Sequence, residues 1–174
     1  MLVEVILIAV LPALLIAAAG WDLTSFTIPN LFPAALLALF ALFAAASALA
    51  PHGMTLSDIG LHAAAGGIGL TVGIAFFALG WIGGGDAKLF AVAALWLGWH
   101  ALFEYALFAS VFGGALTLGV LLLRRVPIPS GLLGHAWLLR LADPRSGIPY
   151  GVALSTAALA MLPASELFRL AAAS

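Results

Sequence analysis

Apolar residues run through this chain in six long blocks, Leu2–Gly20, Leu31–Ala50, Ile59–Gly80, Ala87–Trp99, Ala101–Leu123 and Ile148–Leu167. Turn-forming residues separate them: Ile28-Pro29-Asn30, Pro51-His52-Gly53, Gly83-Gly84-Gly85 and the longer stretch Arg124–Gly147. At a rise of 1.5 Å per residue, a helix of about 20 residues crosses the ~30 Å hydrocarbon core of a bilayer. The pattern therefore predicts an all-α integral membrane protein, a polytopic bundle of six transmembrane helices packed as hairpins, forming one domain over 1–174. The short fourth block would have to borrow residues from its flanks. The first block lacks the basic start of a secretory signal and is followed by further spans, so it is read as a true helix.

Composition sharpens this picture. Apolar residues make up 65% of the 174 positions and charged residues 7%, against roughly 45–50% and 25% in soluble domains. The net charge of −1, without any basic stretch, leaves nothing to neutralise a nucleic-acid backbone, so the lipid bilayer and not DNA or RNA is the expected environment. With no cysteine in the chain, disulfides, thiolate nucleophiles and zinc–thiolate sites are excluded. Chemistry must come from carboxylates, imidazoles or hydroxyls, and no cofactor is expected.

Lys and Arg set the orientation, because loops on the cytoplasmic side are enriched in them. Taking alternate connections, Lys88, Arg124, Arg125, Arg140 and Arg145 fall on one side and only Arg169 on the other. Both termini are then extracytoplasmic, and residues 124–147 form a cytoplasmic connector. In that connector Leu132, Leu133, Trp137, Leu138 and Leu141 recur at helical spacing, as in a helix lying on the interface, either covering a site or serving as a linker. Gly66, Gly67, Gly69, Gly113 and Gly114 are read as close-packing positions between helices.

Ionisable groups at the edge of a span are costly and mark candidate sites. Glu4, Asp58, Glu104, Asp143 and Glu166 sit near block ends or in the connector and read as surface groups. Asp22 ends the first block and Asp86 opens the fourth, on the same predicted side. Two carboxylates brought within a few ångströms share a proton. Such a pair can hydrolyse a peptide, the ionised member taking a proton from water while the protonated one polarises the carbonyl. The simpler alternative is that each aspartate caps the helix that follows it. Gly83, Gly84 and Gly85 leave bare backbone beside Asp86, where an extended substrate could approach. The helix start also favours the ionised form of Asp86, assigning the shared proton to Asp22. Lys88 points to another side of that helix, either anchoring at headgroups or tuning the pair.

His52, His62, His100 and His135 are dispersed without the i, i+4 spacing of a helical metal site, and Ser25, Ser130 and Ser146 have no basic partner at a suggestive position. No metal is expected. A small cation- or proton-coupled transporter using Asp22 and Asp86 is the main alternative, although such carriers hold their acids near the bilayer midplane.

Gly83-Gly84-Gly85-Asp86 with Lys88 resembles the GxGDxK signature of the GxGD aspartic proteases, specifically prepilin peptidases. Asp22 followed by Ile28-Pro29-Asn30 resembles that family's first-aspartate segment, and Gly147-Ile148-Pro149-Tyr150-Gly151 its last-helix motif. The short chain, without a cysteine-bearing cytosolic extension, resembles the TadV/CpaA branch serving Flp-type (tight-adherence) pili. The resemblance implies a bacterial inner-membrane endopeptidase with Asp22 and Asp86 catalytic and no methyltransferase activity. Its implied partners are prepilins or pseudopilins carrying a short basic leader before a hydrophobic helix. A preflagellin peptidase is a related possibility. Relatives often carry basic residues where this chain has Leu23-Thr24-Ser25-Phe26-Thr27, a departure that bears on leader preference.

Overall fold

The computed structural model describes residues 2–50, 53–129, 131 and 134–172, and among these every regular element is a helix. The predicted turn at Pro51-His52 and the connector positions Ser130, Leu132 and Leu133 lie outside the described residues. Helix α1 (Leu2–Val5) continues through a π turn, Ile6–Val10, into α2 (Leu11–Ser25). Pro12 stands at the start of α2, and having no N–H for the carbonyl four residues back, it lets the ladder widen just before it. The first block thus extends beyond Gly20, and Asp22 lies within the last turn of α2. Phe26, in the left-handed region at φ 58°, ends the helix by donating its N–H to Asp22 O at 2.7 Å.

Helix α3 (Leu31–Ala48) returns across the bundle, and α4 (Leu56–Ala78) opens with a capping box. There the Asp58 N–H donates to Thr55 Oγ1 at 3.2 Å and the Thr55 N–H to Asp58 Oδ2 at 2.8 Å. Next come α5 (Gly84–Leu97), α6 (Leu102–Leu123), α7 (Ala136–Ala142) and α8 (Tyr150–Met161). A 3₁₀ turn at Leu162–Ala164, containing Pro163, leads to α9 (Glu166–Ala172), where Ser165 Oγ donates to Leu162 O at 2.7 Å and accepts from Phe168 N–H at 3.3 Å.

Five stretches are long and apolar enough to cross a membrane: Ile6–Ser25, Leu31–Ala48, Leu56–Ala78, Leu102–Leu123 and Tyr150–Arg169. The fourth predicted span differs from these. Helix α5 has 14 residues, about 21 Å of rise, short of the ~30 Å core. Gly98, at φ +83°, stops it before Trp99. Its apolar residues serve packing on all sides: Ala87, Leu89 and Ala91 through Leu97 are buried, so α5 is the central helix around which the others gather.

The closest pairing is α4 against α5, and missing side chains create it. A methyl on Gly69 would come within 3.1 Å of Ala94 Cβ, one on Gly66 within 3.0 Å of Leu95 Cβ, and one on Gly73 within 3.0 Å of the Ala87 backbone. A methyl on Gly113 would meet the Tyr150 ring at 3.4 Å, whereas one on Gly67 or Gly114, predicted to pack likewise, would meet no other element within 4 Å. At the far end of α5, His62 Nδ1 lies 2.7 Å from Leu95 O and its ring covers Gly98. Phe40 meets Trp96 edge to face at 5.3 Å, and Trp96 Nε1 donates to Leu36 O at 3.0 Å, fixing α3 to α5.

Candidate active site

Asp22, only 3% exposed, faces inward from the end of α2. Its Oδ2 accepts the Gly151 N–H at 2.7 Å, from the first turn of α8, a helix separated from it by 129 positions in sequence. The first N–H groups of a helix have no partner within that helix, so Asp22 caps α8 from across the bundle and not a helix following it in the chain. That approach requires a glycine. A methyl on Gly151 would come within 2.8 Å of Asp22 Oδ2 and 2.6 Å of Ile28 Cδ1.

Asp86 lies in the first turn of α5, where its Oδ2 accepts the Gly83 N–H at 3.0 Å. Asp22 and Asp86 are close enough for the charge of one to oppose that of the other. The two acids therefore converge at the start of α8. Both stand at helix N-termini, Asp86 at its own and Asp22 at that of α8, so the dipole argument that assigned the shared proton to Asp22 no longer distinguishes them.

Ile28 holds this arrangement together. Gly85 would carry its methyl within 2.9 Å of Ile28 Cβ and 3.0 Å of Ile28 O, so the turn after α2 lies directly on the start of α5. The same Ile28 side chain reaches Gly151. One buried residue thus wedges between the two glycines that flank the acids. A methyl on Gly84 would lie 3.5 Å from the Phe77 ring, an ordinary contact.

A groove of about 710 Å³ leads to Asp86 between α4, α5, α6 and α8. Its walls are mostly apolar, with Phe76, Phe90 and Leu154 among them, and its polar groups include Ser110, Thr117 and Tyr150. The Tyr150 hydroxyl lies 3.3 Å from Thr117 Oγ1, tying α8 to α6. Asp86 lines this groove and Asp22 lies behind it.

Lys88 points away from the acids and donates from Nζ to Asn30 Oδ1 at 2.7 Å, joining the start of α3 to α5. Asn30, at the N-terminal boundary of α3, makes no side-chain cap there; its amide oxygen accepts from Lys88 instead. The connector folds back on the same end of the bundle. Arg124 donates from Nε to Leu141 O at 3.0 Å and from Nη2 to Ser146 O and Gly147 O at 2.9 and 3.0 Å. Arg140 donates from Nη1 to Ser25 O at 3.1 Å, with its guanidinium 5.9 Å from the Phe26 ring centre, so α7 is attached to the helix end that carries Asp22. Leu141 of α7 is buried, and Trp137 and Leu138 are half-buried.

The remaining titratable groups stand apart. His62 lies at the other end of α5, and His100 sits 4.0 Å from Glu166. Among the described residues no three His, Asp or Glu side chains cluster as a metal set. Sequence reasoning missed the roles of Ile28, Arg140 and the Gly151 N–H. The Ile-Pro-Asn and Gly-Ile-Pro-Tyr-Gly segments had marked two of these positions without indicating that they touch.

Residues 9–118 match the model of the type IV leader peptidase family. The match takes in Asp22, Ile28, Asp86 and Lys88 and stops before Gly151. No curated protein and no solved structure matches the chain.

Proposed function

This chain belongs to the type IV leader peptidase family, and we propose that it removes the leader of Flp-type prepilins with Asp22 and Asp86 as the pair that activates water. Family membership and five membrane-length apolar helices make it a multi-pass membrane peptidase. The observation that carries the finer reading is that Asp22, bonded to the Gly151 N–H at 2.7 Å, and Asp86, at the start of α5, lie close enough for their charges to oppose each other. Acids placed only to cap helices would not need to face each other, where their charges conflict.

In this reading the pair holds one proton between its two members. The ionised carboxylate takes a proton from a water molecule as its oxygen attacks the scissile carbonyl carbon. The protonated carboxyl gives its proton to the carbonyl oxygen, forming a neutral tetrahedral diol. Collapse breaks the C–N bond, with a proton passing to the leaving nitrogen and the shared proton restored. Substrate enters along the groove beside Asp86, whose apolar walls suit the hydrophobic helix behind the cleavage point. The glycines before Asp86, read from the sequence as room for substrate, are used for packing instead, Gly85 against Ile28 and Gly84 against Phe77.

The uneven distribution of Lys and Arg supports placing this end of the bundle in the cytoplasm, where a basic leader would lie. We count α5 as a sixth, shortened crossing sheltered by the other five. The bacterial inner membrane is the corresponding location.

The test is coexpression with a Flp-type prepilin, following leader removal by gel shift and product mass for wild type, Asp22→Asn and Asp86→Asn. Wild type is expected to trim the leader, while each variant, present at normal membrane levels, leaves it intact. Continued trimming by both variants would remove the pair from the mechanism. The product mass also tests the expectation that the new N-terminus is left unmethylated.

A further inference from the structure

Two grooves flank α5, and they carry opposite charge. One reaches Asp86. The other, of about 530 Å³, lies between α3 and α4 with α5 as its floor. Although consecutive in the chain, α3 and α4 pack on α5 far more than on each other, and the gap left between them is this groove. Ala34 and Leu37 form one wall, Gly67 and Leu70 the other, and Ala91 and Leu95 the floor.

From Lys88 to Leu95 along α5 the groove extends about 10 Å, within the ~15 Å that one leaflet contributes to the hydrocarbon core. At one end stands Lys88, held to Asn30 and lining the groove with it. No carboxylate lies within ion-pair distance of Lys88 among the described residues. An ammonium has three donors, and the contact with Asn30 uses one of them.

We propose that this groove binds an anionic phospholipid, with an acyl chain lying against α3, α4 and α5 and the phosphate on Lys88. The apolar walls, about 10 Å long, fit the upper part of an acyl chain, and the single cation at the rim fits a headgroup carrying net negative charge. A zwitterionic lipid brings its own cation to the same rim. The positively charged leader of a peptide substrate is repelled by Lys88 and attracted toward the groove that carries Asp86. The site thus separates lipid from substrate by charge, on opposite sides of one helix; that separation rests on the proposed function, whereas the lipid binding itself does not.

Native mass spectrometry of the full chain, equilibrated with equal phosphatidylglycerol and phosphatidylcholine in detergent, tests this. Wild type is expected to retain one phosphatidylglycerol per chain with about fivefold preference over phosphatidylcholine, as one lysine at an anionic headgroup provides. Lys88→Gln should reduce the preference to parity, and Lys88→Arg should keep it. Gly67→Leu is a second variant, made where an added side chain meets open groove. It should reduce retention of both lipids. Equal retention of the two lipids by wild type overturns the proposal, as does a wild-type preference in Lys88→Gln. Should Lys88→Gln fail to fold, undiminished retention by Gly67→Leu overturns it on its own.

Discussion

The carboxylate of Asp22, at the end of α2, accepts a 2.7 Å hydrogen bond from the Gly151 N–H, at the start of α8. That bond brings the last long helix to the first, and Asp86, at the start of α5, lies near enough for its charge to act on Asp22. Three helix ends therefore meet around these two acids. The consequences for activity and stability can be measured residue by residue.

Gly151→Ala tests the closeness of this contact. Its methyl would lie 2.8 Å from Asp22 Oδ2 and 2.6 Å from Ile28 Cδ1, so α8 or α2 must move by several tenths of an ångström or more. Misplacing a reacting group on that scale costs up to about 100-fold in rate. Prepilin cleavage in membranes should fall by that order while the amount of protein stays near wild type; unchanged cleavage would show that the contact does not position Asp22.

Two groups acting as one unit lose function together. Either Asp22→Asn or Asp86→Asn should lower leader cleavage by about 100- to 10,000-fold. The double variant should be scarcely worse than either single one, because each substitution already disables the pair. Losses that multiply in the double variant would mean the two acids act independently.

At the seam between α4 and α5 the prediction concerns stability. Gly73→Val puts a branched side chain where even a methyl reaches 3.0 Å from Ala87, and overpacking of this kind costs about 1–3 kcal/mol. Thermal unfolding in detergent should show a lowered midpoint for Gly73→Val. Gly67→Ala, with no neighbour within 4 Å, should leave the midpoint nearly unchanged apart from helix propensity.

Arg140→Ala removes the hydrogen bond to Ser25 O and the contact with the Phe26 ring that hold α7 to α2. The connector should open more often, and limited proteolysis between Arg124 and Gly147 should become several-fold faster. Proteolysis at the wild-type rate would mean that Arg124 and the buried Leu141 hold the connector without help.

Much of the helical framework could be read from the sequence, because in hydrocarbon each backbone amide must bond within its own helix and the side chains must be apolar. Runs of about 20 such residues therefore announce spans whatever their neighbours are. The block at Ala87–Trp99 is already short for a span in the sequence, and α5 has 14 residues. A helix surrounded by other helices is as apolar as one surrounded by lipid, so hydropathy alone did not reveal that α5 is the central helix of the bundle.

The candidate site divides in the same way. Asp22 and Asp86 stood out because charged groups are rare in this chain, and glycines beside Asp86 marked a place of close approach. The sequence by itself determined a helical membrane protein and the two acids worth attention, whereas Gly84 and Gly85, read as part of a turn, are the first residues of α5. Only the tertiary structure decided that Asp22 caps α8, that Ile28 lies between Gly85 and Gly151, and that Lys88 turns to Asn30 and away from the acids. Local propensity and hydropathy act over a few residues, whereas these contacts depend on how helices far apart in sequence are rotated and stacked against α5.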